Sequence, residues 1–504
     1  MGRIMNWIRS VTTRMFGQQS DFFTKAGIPA NAITTDMSNA IDLWSQLYVG
    51  QAPWLVENPK SLGLPARIAS EMATQVTLEM QMNVSDPAGG KVDSGAKEEP
   101  TTRAAFLSKE LQKVMVCIQK QTEYACAKGG LVFKPYPDKG GISFDYVQAD
   151  DFYPCAYNSR GDITSAIFLS KKKVADLYYT RVEKHTLEGT HYTIHNQCYK
   201  SMAENEVGEP CALSEVPEWS DIEDAEIDNV EHPLFSYFRI PLGNTIDPKS
   251  PLGVSVYARA LQSGLLREAD RQFQRLMWEY EGGELAIDAS SDAFKTVGGR
   301  PELPTGKERL YRMNTLDPST TNEELMKTFS PTLRDESYNR GLETVKREIE
   351  DVCGLAHGTL SKADEEAKTA TEIKMTRQRT YATVTSIQKA LQTALEGLVV
   401  AADYITTLYS LAPEGKYDLQ FVWDDSLIVD SDVERQRDLD EIAAGIRNKW
   451  EYRVKWYGED EATAKAMVAK EENPDQIMGF GLPNKQPINN EPRNNTEENG
   501  GENE

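Results

Sequence analysis

The chain has 504 residues, more than a single hydrophobic core usually serves, so about two to four domains are expected. A hydrophobic share of 39%, with 15 Phe, 21 Tyr and 8 Trp, excludes general disorder, and no apolar run reaches the roughly 18 residues of a membrane span. The formal charge of −23, from 78 acidic and 55 basic residues, opposes nonspecific adsorption to nucleic acid, whose affinity comes largely from displaced counterions. It does not by itself exclude transient contact with DNA.

The amino end, MGRIMNWIRSVTTRMF, carries Arg3, Arg9 and Arg14 but lacks a signal-peptide core and cleavage site. Ile4, Trp7, Ile8 and Val11 give one apolar face of a short helix suited to packing against a neighbour. A mostly helical region runs to about residue 127. Ile41, Trp44, Leu47 and Tyr48 repeat at helical spacing, as do Ile68, Met72, Val76 and Met80 after Pro65. DPAGGKVDSGAKEEPT, between Asp86 and Thr101, reads as an exposed loop. Phe106, Leu111, Val114, Met115 and Ile118 resume the helical pattern, which ends before Gly129-Gly130.

The period then changes. Leu131 to Phe133 and Ile142 to Val147 flank a turn and form a hairpin-like pair. Phe152 to Tyr157, Ile163 to Ser170, His185 to His195 and Cys198-Tyr199 extend an antiparallel meander, with a charged helical segment expected near Val174 to Tyr179. Residues 130–240 therefore read as α+β, and the acidic stretch from Glu215 to Glu231 as a solvated loop.

From Val254 to Tyr280 the spacing predicts one helix of about 40 Å, with Leu261, Leu265, Ala269, Phe273, Leu276 or Met277, and Tyr280 on an apolar stripe. Gly282-Gly283 stops it. Leu285 to Ile287, Arg309 to Met313 and Leu325 to Phe329 are short strand-like pieces, too small to make a core alone. A return helix carries Tyr338, Leu342, Val345, Ile349 and Val352. After the loop CGLAHGTLSKADEEAKT, Thr369 and Glu372 form a capping box for a helix of about 60 Å, in which Gly397 marks a kink. Tyr417 to Trp423 reads as a strand, Ser431 to Ile446 as a helix and 459–471 as a short polar helix. The carboxy-terminal stretch, 473–504, has almost nothing to bury and is expected to be disordered.

Catalytic chemistry finds no foothold. Six cysteines, at 117, 126, 155, 198, 211 and 353, include no Cys-x-x-Cys and read as reduced, mostly buried thiols. His185, His191, His195 and Cys198 offer a zinc reading, but they alternate like a strand, which leaves His191 and His195 about 13 Å apart. Phosphate-binding glycine motifs and Gly-x-Ser-x-Gly are absent. Gly253-Val254-Ser255 therefore reads as a turn and cap, and Asp150-Asp151 and Asp424-Asp425 as solvated surface. No catalytic residue, metal or cofactor is expected; the chain reads as a non-enzyme.

Two runs resemble the portal proteins of tailed bacteriophages, of the siphovirus type from phages of Gram-positive hosts. They are SPLGVSVYARALQSGLLREADRQFQRLMWEYEGG and SYNRGLETVKREIEDVCGLAHGTLSKADEEAKTATEIKMTRQRTYATV. The order of elements matches too, and the resemblance covers about residues 20 to 470. It implies an α+β, mainly helical subunit that forms a ring, of about twelve copies in the virion and twelve or thirteen if recombinant. The implied organisation is a wing at 1–253, helical then α+β, and a first stem helix at 254–281. A clip at 282–335, a second stem helix at 336–352 and a tunnel loop at 353–368 follow. The long wing helix and strand occupy 369–423, a crown 424–472 and a disordered acidic tail 473–504.

Leu261, Leu265, Phe273, Leu342, Val345 and Ile349 would pack the stem, and Leu285, Ile287, Leu310, Tyr311 and Met313 the clip. Gly354, Gly358, Lys362 and Lys368 are the loop residues expected to face DNA. The implied function is the capsid vertex channel for DNA entry and exit. Implied partners are the terminase large subunit, a head-completion or adaptor protein, the major capsid and scaffolding proteins, and double-stranded DNA bound without sequence specificity. Assembly would occur in the host cytoplasm, with no membrane role. The competing reading is another virion structural protein, of capsid or baseplate, without a DNA channel.

Overall fold

The computed structural model describes residues 27–29, 32–55, 60–78, 80–87, 102–159, 161–203, 206, 208–290, 294–297, 300–302, 310–314, 326–362, 370–423, 431–459 and 461–472. The expected amino-terminal helix, the capping Thr369, Lys368 and the tail at 473–504 lie outside them. The chain divides into two compact units, Met1–Asp424 and Asp425–Glu504. The fold is mixed α+β with more helix than strand, and its sheets are open.

The first unit begins with α1 (Thr35–Tyr48) and α2 (Leu64–Thr77), whose buried faces carry Met37, Ile41, Trp44 and Leu47, then Ile68, Met72 and Val76. Met80, expected to prolong the second helical face, instead opens strand β1 (Met80–Ser85). Helix α3 (Arg103–Lys128) starts where the Thr102 hydroxyl accepts the Ala105 N–H, and it buries Phe106, Leu107, Leu111, Val114 and Ile118. Strands β2 (Gly130–Asp138) and β3 (Gly141–Gln148) form the expected hairpin.

A meander follows: β4 (Phe152–Tyr157), β5 (Ile163–Val174), β6 (Leu177–Glu188), β7 (His191–Ser201) and β8 (Glu209–Cys211) pair in that order, and β9 (Ala225–Ile227) also pairs with β7. The helix expected near Val174 to Tyr179 is the tip of the β5–β6 hairpin, with Val174 opposite Leu177. Ala175 and Asp176 form the exposed two-residue turn, and Ala175, at φ +54°, is left-handed, which no helix continues through. His185 to His195 is likewise two strands, separated by a turn at Gly189-Thr190. Strand β10 (Ser236–Arg239) returns to pair with β2.

The helix expected as one piece from Val254 is broken. Helix α4 (Ala258–Gln262) ends at Ser263, and Gly264, at φ +79°, precedes α5 (Leu265–Gly282). Only a residue tolerant of left-handed backbone fits there without strain. Five short strands come next: β11 (Ala286–Ser290), β12 (Lys295–Val297), β13 (Arg300–Glu302), β14 (Tyr311–Asn314) and β15 (Met326–Phe329). Helix α6 (Asp335–Cys353) runs back against α5.

Helix α7 (Ala370–Leu408) has 39 residues. It buries Val384, Ile387, Leu391, Leu395, Leu398 and Ala402 against β10, β2, α2 and α3, which explains how so long a helix stays tied to one unit. Helix continues through Gly397, where a Cβ would stand 2.6 Å from Ser236 Oγ, so the missing side chain admits close approach of β10. Strand β16 (Asp418–Trp423) pairs antiparallel with β1.

The second unit has α8 (Ser431–Ala443), α9 (Lys449–Tyr457) and α10 (Glu461–Glu472); α9 was not expected from the sequence. Buried Asp438 joins α8 to α9 by accepting from Lys455 Nζ and Trp456 Nε1, both at 2.8 Å, and pairs with Arg447. Burial disfavours its charge, but these donors hold its carboxyl below the usual range.

Candidate functional site

The helix pair α5/α6, the strands between them and the loop after α6 bring most of the sequence-predicted residues into one continuous region. On α5 the buried positions are Leu266, Ala269, Asp270, Leu276 and Glu279. Ala269 and Leu276 lie on the buried face as expected, whereas Leu261, Leu265 and Phe273 are only half-buried. Asp270 accepts hydrogen bonds from Trp54 Nε1 (2.9 Å), Ser61 Oγ (2.9 Å) and the Leu62 N–H (3.0 Å), tying the segment before α2 to this helix. On α6, Leu342 and Ile349 are buried and Val345 is half-buried.

At the far end of the pair, β11 is the centre of a three-stranded sheet, parallel to β14 and antiparallel to β15. Its buried side chains are Ala286 and Ala289 rather than the larger neighbours: Leu285 is exposed and Ile287 half-buried. Leu310 and Tyr311 are half-buried; the Leu310 carbonyl accepts the Ile287 N–H at 2.7 Å, and the Tyr311 ring meets Phe294 edge-on at 5.7 Å. Met313 sits on β14 opposite Ala289.

Glu279 joins the end of α5 to the start of α6. Its carboxylate takes three hydrogen bonds from Arg334: the backbone N–H (3.0 Å), Nε (3.1 Å) and Nη2 (2.8 Å). These hold the Glu279 carboxyl below its usual range. A fork-shaped guanidinium meeting both carboxylate oxygens fixes geometry as well as charge, so the end of α5 and the start of α6 are clamped together.

At the opposite end, α6 closes on Gly354, whose φ of +74° and close approach to Thr383 (2.6 Å from a built Cβ to Oγ1) exclude a side chain. The described part of the following loop is folded onto α6. Glu350, with no exposed surface, receives the Leu360 N–H (2.5 Å) and Ser361 N–H (2.8 Å) on Oε1. Its Oε2 receives Ser361 Oγ (2.9 Å) and the Gly358 N–H (3.4 Å), with His357 Nδ1 at 3.3 Å. Arg67 Nη2 holds the Thr359 carbonyl at 2.7 Å, and Glu343 Oε2 takes the Lys362 N–H at 2.6 Å. Burial disfavours the Glu343 charge, but the Lys346 ammonium and the Lys362 N–H keep its carboxyl below the usual range. Lys362 itself is exposed; Lys368 lies outside the described residues. Neither Glu350 nor Glu279 stood out in the sequence, where each is one acid among 78.

The zinc constellation does not assemble. His185 is buried and bonded to Glu183 and Tyr192, whereas exposed His191 and His195 pair separately with Asp228 and Asp224. Among the described residues, no group of three or more His, Cys, Asp or Glu side chains could hold a metal. What the sheet contains instead is a buried ionic cluster: Glu183 meets Lys134 (2.6 Å), Arg181 (3.0 Å) and His185 (2.7 Å). Burial alone would raise the Glu183 carboxyl, but Lys134, His185 and Arg181 hold it well below the usual range. Burial pushes the His185 imidazole down and overrides its bond to Glu183. Every member has a partner, as a buried ionic group requires.

No protein-family model and no curated protein sequence matches the chain. Among solved structures, the chain is similar to one in the neck of a native GTA particle computed with C12 symmetry. The identity is 11%, the match covers 82% of this chain and 92% of that one, and the TM-score is 0.37.

Proposed function

We propose that this chain is a portal subunit: a ring-forming, non-enzymatic protein that provides the channel for DNA at a phage capsid vertex. The observation that carries the reading is the order of parts along one path. A small sheet lies at one end of an antiparallel helix pair joined there by Glu279 and Arg334, an anchored loop lies at the other end, and a 39-residue helix follows. In this reading α5 and α6 are the stem, β11–β15 the clip and 353–368 the tunnel loop. Residues 1–253 with α7 and β16 are the wing, and α8–α10 the crown. The clip would dock terminase and later a head-completion protein. Among the described residues β14 and β15 are the outer strands of the three-stranded sheet, and an outer strand is a surface on which another chain can pair.

Averaged electron-microscopy views of the purified protein, with native mass spectrometry, test the reading. A closed ring of about twelve copies with a central passage is expected. A persistent monomer at micromolar concentration and moderate salt would overturn it. An assembly without an axial passage would favour a different virion structural protein.

A further inference from the structure

Strand pairing brings together two cysteines that the sequence keeps apart. Cys198 on β7 stands directly opposite Cys211 on β8. Their sulfurs are 3.2 Å apart, with the Cys211 thiol donating to Cys198 Sγ. Residues directly opposed on antiparallel strands have Cα atoms about 4.5–5.5 Å apart, within the roughly 4.4–6.8 Å span that a disulfide bridges. Position supplies the remaining freedom: β8 is three residues long and ends the path of the six-stranded sheet, so it can shift towards β7 without disturbing an inner strand. Access is unequal. Cys198 is buried beside Tyr179, Val216 and Trp219, whereas Cys211 is half-buried at the margin of that cluster.

We propose that Cys198 and Cys211 form a redox modification site, a dithiol that a low-molecular-weight disulfide oxidises to a cross-strand disulfide. The more accessible Cys211, as thiolate, attacks one sulfur of oxidised glutathione, and the other glutathione leaves as thiolate with the bonding pair. Cys198 then gives its proton to water and attacks Cys211 Sγ, expelling the second glutathione. Two electrons and two protons have passed from the dithiol to one oxidised glutathione, giving two reduced ones. Burial pushes the Cys198 thiol up to about 12 and raises Cys211 as well, so thiolate is scarce at neutral pH and the reaction is slow without such an oxidant. The product ties the edge strand to its neighbour covalently. This site stands independently of the ring reading.

The test is incubation of the full chain with oxidised glutathione at mildly alkaline pH, followed by intact mass and peptide mapping. Expected are the loss of two hydrogens, no retained glutathione and a peptide joining Cys198 to Cys211. Cys198→Ser should stop at a stable glutathione adduct on Cys211, and Cys211→Ser should yield neither product at this site. A wild-type chain that keeps glutathione on Cys211 while Cys198 stays alkylatable would overturn the proposal. So would a Cys198–Cys211 bridge that appears only after unfolding in urea, since the folded strands would then not be what joins them.

Discussion

A fully buried carboxylate is costly unless its oxygens are occupied. Glu350 meets that condition with donors that all come from residues 357–361, within twelve residues of chain. Its charge therefore specifies where the loop folds back. Glu350→Gln keeps the shape, removes the charge and turns one acceptor into a donor facing N–H groups. The expected loss is about 2 kcal/mol, with the Leu360 and Ser361 amides losing hydrogen-exchange protection while those of α6 keep theirs. Unchanged protection at those two amides would mean that Arg67 and Glu343 suffice to hold the loop. Glu279 gives a pH-dependent counterpart. Its folded-state pKa is depressed by Arg334, so its contribution is complete above the unfolded carboxylate value of about 4.3 and is lost as pH falls through the lower folded value. The melting-temperature gap between wild type and Glu279→Gln should be widest near neutral pH and close in acid. A gap that persists undiminished in acid would assign Glu279 a packing role instead.

At the scale of elements, what was legible in the sequence followed periodicity. Long helices such as α3, α6 and α7, and the hairpin of β2 and β3, carry repeats that burial then enforced. The misses are places where a single backbone angle or a tertiary partner decides. Nothing in the spacing of Leu261 and Leu265 reports that Gly264 between them is left-handed, and helical spacing survives the break almost intact. Helix α9 was hidden because its aromatic and charged residues find their partners across the unit, as Trp456 does on Asp438. Gly264→Ala places a Cβ in open space, so any cost is conformational: about 1 kcal/mol lost in thermal unfolding. A stabilised Gly264→Ala protein would mean that α4 and α5 can merge into one helix. Within the sheet, Tyr311→Asp puts a charge where a half-buried ring meets Phe294, and β11 and β14 should lose exchange protection while β5–β7 retain it. Unaltered exchange in β11 and β14 would place Tyr311 on a free surface.

At the scale of the whole molecule, the charge of −23 sets the terms on which DNA could pass. In the proposed ring each channel residue would be repeated by symmetry, so one exposed lysine would become a belt of positive charge acting on passing phosphates. Lys362 has the required form. Its backbone N–H is fixed by Glu343 while its side chain is exposed, so the anchored loop delivers a charge to a defined place. If the chain forms the proposed ring, simultaneous Lys362→Ala and Lys368→Ala substitutions should leave it intact, because the Glu350 and Glu279 bonds do not use the Lys362 side chain. DNA packaging or retention should change. A packaging assay read beside a density map separates the possibilities. Loops found far from the ring axis would refute their placement in the channel, and axial loops with unaltered packaging and retention would make them passive wall.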